Sequence, residues 1–163
     1  MKFFPESTLH QLEFDKIKEL LSGHCRTEYA RNKALELRIH TKLVFIKTAL
    51  SQAHEFKTII QSGDYFPNDF NINISKEIKL LGIPGATLNG EQFMLIRRLA
   101  ENTANIFRWF DAERREAFPA LTEVVEGSYY EKVIREMIDE VLDETGVVKD
   151  NASEELQRIR MNL

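Results

Sequence analysis

The sequence holds a single cysteine, Cys25, four prolines and seven glycines, and no apolar run approaches 18 residues. Each scarcity excludes something. One cysteine cannot close an internal disulfide, and a reducing cytosol is the simplest setting for it. So few glycines and prolines leave little room for linkers or low-complexity segments. Without a long apolar run there is no helical membrane span, and Met1-Lys2-Phe3-Phe4-Pro5 passes at once into polar Glu6, Ser7 and Thr8, which offers no signal-peptide core. A cytoplasmic location off the membrane is expected. Positive charge is also short: a formal net charge of −4 and a pI near 5.6 argue against a surface built to displace counterions from phosphates. This piece alone is not expected to bind nucleic acid.

What is present suits a folded core. With 43% hydrophobic and 29% charged residues over 163 positions, the chain has the size and make-up of one ordinary domain, able to bury about 70% of its unfolded surface.

The patterning is helical throughout. Leu9, Leu12, Phe14, Ile17, Leu20 and Leu21 form a stripe behind Ser7 and Thr8 as caps, with a break near Glu13 and Gly23 placed as a left-handed stop. Thr27 caps a second helix with Ala30, Ala34 and Leu37 inward. Thr41 starts a third, in which Phe45, Ala49, Ala53, Phe56 and Ile60 lead to Gly63. Residues 64–73 read as a loop, while Phe70, Ile72 and Ile74 alternate and could be extended. Ser75 caps a short helix, Lys76 to Leu81, that Gly82 and the Pro84-Gly85 turn end.

Leu88-Asn89-Gly90-Glu91-Gln92-Phe93 is the clearest local signal, a capping box between Asn89 and Gln92 with Leu88 and Phe93 as a staple. Phe93, Ile96, Ala100, Thr103, Phe107 and Phe110 then form the apolar face of a five-turn spine. Truncating this spine by Phe107→Ala is expected to cost about 3–5 kcal/mol. Pro119 opens another helix, closed by Gly127, and Ser128-Tyr129-Tyr130-Glu131 reads as a capping box launching a helix with Val133, Ile134, Met137, Ile138, Val141 and Leu142 on one face. Gly146 ends it. Asp150 or Asn151 caps a last helix, with Glu154 reaching back and Leu156, Ile159 and Leu163 at spacings of three and four. No stop signal follows, which fits either a frayed terminal helix or a piece cut from a longer protein, and the second is expected.

Candidate chemistry is thin. Gly82-Ile83-Pro84-Gly85 is too short for a phosphate loop and has Pro84 where an amide donor would help. His24-Cys25 lacks an oriented base, since adjacent helical side chains diverge by about 100°. His10, His40 and His54 have no ligand spacing, so no metal is assigned. Glu136, Asp139, Glu140, Asp143 and Glu144 occupy the polar side of an amphipathic helix and read as solvated rather than as cation ligands. Arg97, Arg98, Arg108, Arg114 and Arg115, interspersed with Glu91, Glu101, Asp111, Glu113 and Glu116, read as a salt-bridged face rather than a DNA track. Phe107, Trp109 and Phe110 read as core rather than a stacking platform. No catalytic, cofactor or metal residue is therefore expected.

Four words carry a more specific signal: Leu12-Glu13-Phe14-Asp15-Lys16-Ile17-Lys18-Glu19-Leu20-Leu21, Ala34-Leu35-Glu36-Leu37, Leu88-Asn89-Gly90-Glu91-Gln92, and Gly146-Val147-Val148-Lys149-Asp150-Asn151-Ala152-Ser153-Glu154-Glu155-Leu156-Gln157-Arg158-Ile159-Arg160. In this order they resemble the N-terminal part of the second MutS family, and the resemblance covers essentially the whole chain. It implies an all-α, irregular helical bundle like the core of mismatch-repair MutS, with residues 1–145 as the core and 146–163 as the start of a long lever helix. It also implies a bacterial parent without an N-terminal mismatch-recognition domain. The parent's partner elements would be a second lever helix, a DNA-gripping clamp and a dimerising ATPase domain that takes ATP and magnesium, often followed by an Smr nuclease tail. The family is associated with branched DNA, restraint of recombination and, in some bacteria, rescue of collided ribosomes. On this resemblance the 163 residues would transmit motion, not catalyse. The alternative is a free-standing helical domain whose exposed terminal stripe docks a partner helix.

Overall fold

The computed structural model describes residues 8–162, apart from the side chains of Leu9 and His10. The expectations placed on Ser7, Leu9, His10 and Leu163 lie outside the described residues. The chain is all-α, and among the described residues there is no strand, only an isolated antiparallel bridge between Leu142 and Val148. The alternation at Phe70, Ile72 and Ile74 falls in a non-helical stretch, 64–74, that joins no sheet. Contacts divide the chain into two compact units, Met1–His54 and Glu55–Leu163.

In the first unit, α1 (Thr8–Gln11) gives way at Glu13, whose φ of 54° is left-handed, and α2 (Phe14–His24) follows. The break expected near Glu13 is there. Gly23, however, is not a left-handed stop: α2 runs through it and ends where Cys25 turns extended, its N–H donating to Ser22 O at 3.1 Å. Thr27 Oγ1 accepts from Ala30 N at 3.1 Å and starts α3 (Glu28–Leu35), which packs on α2 and buries Ala34. Leu37 lies past the end of α3 and is exposed.

Helix α4 (Leu43–Ser62) crosses the division and ends at Gly63, whose φ of 76° suits a residue without a Cβ. Its expected inward row holds only in part, at Phe56. Ile59 is 1% exposed and Phe56 half-buried, whereas Ile60 and Phe45 face solvent.

The second unit is organised by α6 (Gly90–Trp109), preceded by α5 (Ser75–Leu81) and followed by α7 (Ala112–Ala117), α8 (Pro119–Glu126), α9 (Val133–Val141) and α10 (Glu154–Met161). At its C-terminal end Phe110, 4% exposed, sits in an aromatic cluster: Phe66 meets Phe56, Trp109 and Phe110 edge-on at centroid distances of 5.3, 5.1 and 6.4 Å. Trp109 Nε1 donates to Tyr65 O at 2.8 Å, which leaves its one polar atom satisfied. Phe107 is only half-buried, against Tyr130, so of these two stripe residues it is Phe110 that sits in the core.

Helix α8 has Pro119 at its first position and Phe118 before it, a residue that cannot cap. The missing acceptor comes from across the unit: Glu55 of α4 takes the amides of Ala120 and Leu121 at 3.0 and 2.8 Å. Charge and geometry both favour a carboxylate there. Glu55→Ala should lower stability by about 1–2 kcal/mol, and a urea midpoint equal to wild type would show that this cap contributes nothing.

Several local caps differ from the sequence reading. The box at Ser128–Glu131 does not form: Ser128 Oγ donates back to Val124 O at 2.8 Å, Glu131 accepts from Val133 N at 3.2 Å and from the Tyr129 hydroxyl, and α9 begins at Val133. Ser75 does not cap α5 but is its first residue, Ile74 in the cap position supplies no side-chain cap, and Asn73 Oδ1 accepts from Ser75 N at 3.0 Å. Ser153, not Asp150 or Asn151, caps α10 by accepting from Leu156 N at 3.1 Å.

Candidate functional site

The capping box at the start of α6 forms as read. Asn89 Oδ1 accepts from Gln92 N at 2.9 Å, and Gln92 Oε1 accepts from Asn89 N at 3.0 Å. It fixes Gly90 as the first helical residue, and Gly90 has a second task. A Cβ there would stand 1.9 Å from Gly146 O, so the two backbones touch at a point where no side chain fits.

Gly146 belongs to the reversal that follows α9. Lys149 N donates to Val141 O at 2.9 Å and Asp143 N to Val147 O at 2.9 Å, with Gly146 at φ 84° in the bend. Asp143 Oδ1 holds this loop from inside, accepting from Thr145 N, Thr145 Oγ1 and Val147 N at 2.8, 2.7 and 3.0 Å. Those donors, the Thr145 hydroxyl foremost, hold the Asp143 carboxyl below the ordinary aspartate value.

A second tie joins α6 to α9, which pack against each other. Arg97 donates to Asp139, with its second nitrogen 3.4 Å from the other carboxylate oxygen. Arg135 reaches Asp139 at 3.3 Å and Glu101 at 3.6 Å, and Arg97 lies 3.8 Å from Glu101. The hydrogen bond from Arg97 pulls the Asp139 carboxyl down, and the same bond pushes Arg97 up. Asp139 is therefore not one of a row of solvated acids; it is the hub of a four-member network. On the far side of the reversal, Arg160 pairs with Asp150 and lies 3.4 Å from Val148 O, which anchors α10 to the strand-like segment before it.

The acid dependence has a definite sign. Asp139 and Asp143 both sit below the ordinary 3.8, so the stability they supply is complete above that value and is lost as pH falls through their lower folded-state values. In urea titrations from about pH 6 down to about pH 2.5, Asp143→Ala should flatten the acid limb relative to wild type. Superimposable limbs would contradict the assignment.

The other sequence candidates are not brought together. Cys25 Sγ donates to Leu21 O at 3.3 Å. Among the described residues no three His, Cys, Asp or Glu side chains are placed to hold a metal, and no buried side-chain polar atom lacks a partner. Arg114 pairs with Asp111 at 2.7 Å and stacks on Trp109, and Arg115 pairs with Glu126 at 3.2 Å, as a salt-bridged face would. An open depression of about 400 Å³ lies beside α6 and α9, floored by Ala100 and Ala104 and walled by both signs of charge. No nucleophile is paired with a base in it. Sequence reasoning missed Glu55, the Arg97–Asp139 tie and the Gly90–Gly146 contact. Only the last left a trace, in that both glycines lie within the family-like words.

Fold and site together define a helical scaffold whose ordered features are joints. Over 158 residues the chain is 28% identical to Endonuclease MutS2 of Aquifex aeolicus, covering 97% of this chain and 20% of that protein. It is 25% identical over 155 residues to Endonuclease MutS2 of Streptococcus pyogenes serotype M49, and 28% identical over 157 residues to that of Latilactobacillus sakei, each covering 95% of this chain. The chain spans about a fifth of the length of the curated relatives it matches. No family model matches it. These similarities along nearly the whole chain support a MutS2-family fragment.

Proposed function

We propose that the chain is the non-catalytic core and lever root of a MutS-like DNA-binding ATPase, with residues 1–145 as core and 146–163 as the start of the lever. The observation that carries this is the Gly90–Gly146 backbone contact, which seats the segment leading into α10 directly on the first turn of α6. Packed helices move as bodies rather than deform. A lever rooted on α6 would pass a displacement on instead of absorbing it.

In this reading the chain's own residues bind no cofactor. Nucleotide and magnesium belong to an ATPase domain elsewhere in the parent, which also supplies homodimerisation, and branched DNA belongs to a clamp. The parent would be a cytoplasmic bacterial protein acting in DNA repair and recombination restraint or in ribosome rescue. Titrating the 163-residue chain with ATP and with a four-way DNA junction at micromolar protein and physiological salt should give no binding. Saturable binding of either would remove the strut reading. The exposed apolar side chains of α9 favour one other reading, a free-standing helical interaction domain. A reading frame that ends at Leu163 would support that one, whereas a frame running on into G-x-x-x-x-G-K-[ST] supports the first.

A further inference from the structure

Helix α9 is apolar on two sides. Ile138 and Leu142 are buried, while Val133, Met137 and Val141, spaced four apart in one row, are exposed, Met137 at 61%. Glu136 and Glu140 border that exposed row at helical spacing. An apolar row edged by carboxylates calls for a helix with an apolar row edged by lysines.

The chain itself carries one. On α4, Leu43 and Leu50 are 63% and 64% exposed, one heptad apart, and Lys47 and Lys57 are exposed on the same side. The wider charge distribution agrees: residues 1–54 hold nine Lys and Arg against six Asp and Glu, and residues 55–163 hold thirteen against twenty. Each copy thus offers one basic and one acidic apolar face.

We infer that α9 docks a second copy of this chain through that copy's α4, with Met137 and Leu50 at the centre and Lys47 against Glu136 or Glu140. The contact is independent of any ATPase-mediated dimer and of the lever reading. It produces either a closed reciprocal dimer or a concentration-dependent ladder, since the two faces differ.

Sedimentation velocity of the intact chain up to roughly 200 µM tests it. Reversible self-association is expected, weakening as salt rises from about 0.05 M to about 0.5 M. Lys47→Glu and Glu140→Lys should each weaken association about tenfold, and mixing the two variants should restore it, because the glutamate placed on α4 of one variant then meets the lysine placed on α9 of the other. Melting temperatures and helical circular dichroism within error of wild type keep these variants interpretable as folded. A species that stays monomeric throughout, or association indifferent to both charge reversals, overturns the proposal, whatever other helix then covers the face.

Discussion

Gly90→Ala should destabilise the chain by about 3 kcal/mol, the upper end of what overpacking costs. Helix propensity predicts the opposite sign, since alanine is favoured over glycine by up to about 1 kcal/mol within a helix. The close approach decides the outcome. The new methyl would lie 1.9 Å from Gly146 O, a backbone atom that cannot swing aside, so the loop after α9 has to lift off α6. For a chain of this size the melting temperature should fall by roughly 6–12 °C. An unchanged or raised melting temperature would mean that the Gly90–Gly146 contact does not exist in solution. Gly146→Ala gives a second handle on the same contact. It combines a left-handed φ of 84° with a Met94 Cγ 3.1 Å from the added methyl, and it should destabilise in the same direction.

The second large effect belongs to Phe110. Truncation to alanine removes the ring that Phe66 and Trp109 pack against and opens a cavity in the most buried part of the aromatic cluster, at about 3–5 kcal/mol. Phe107→Ala should cost clearly less, because its ring is half-exposed beside Tyr130. Phe107 and Phe110 lie on the same apolar face in the sequence, which does not rank them, so this ordering tests the burial seen in the fold. Equal losses in chemical denaturation, or a larger loss at Phe107, would contradict this order of burial.

What could be read in advance was local. The Asn89–Gln92 box, the Thr27 cap, Pro119 opening α8 and the break at Glu13 are each decided within four residues, and each appears in the fold. Where local rules failed, a competing partner won. Ser128 and Glu131 have the spacing of a capping box, yet Val124 O and the Tyr129 hydroxyl claim their side chains first. On α4 the neighbours Ile59 and Ile60 are equally apolar, and only tertiary packing buries the first and leaves the second exposed. Glu55 is one glutamate among many until α8 presents two amides to it, 65 and 66 residues along the chain. The joint was half legible: the words around Gly90 and Gly146 stand out as family-like, but nothing in either stretch states that their backbones touch.

The strut account stands on residues 143–149 being held to α6 and α9 as one body. Native-state hydrogen exchange at the amides of Val147 and Lys149 tests this most directly, since they donate to Asp143 Oδ1 and Val141 O at 3.0 and 2.9 Å. The account predicts that both open only with α6, at the free energy of its mid-helix amides, and that Gly90→Ala makes them exchange ahead of it. Exchange of Val147 and Lys149 at the rate of a frayed terminus in the wild-type chain would contradict it.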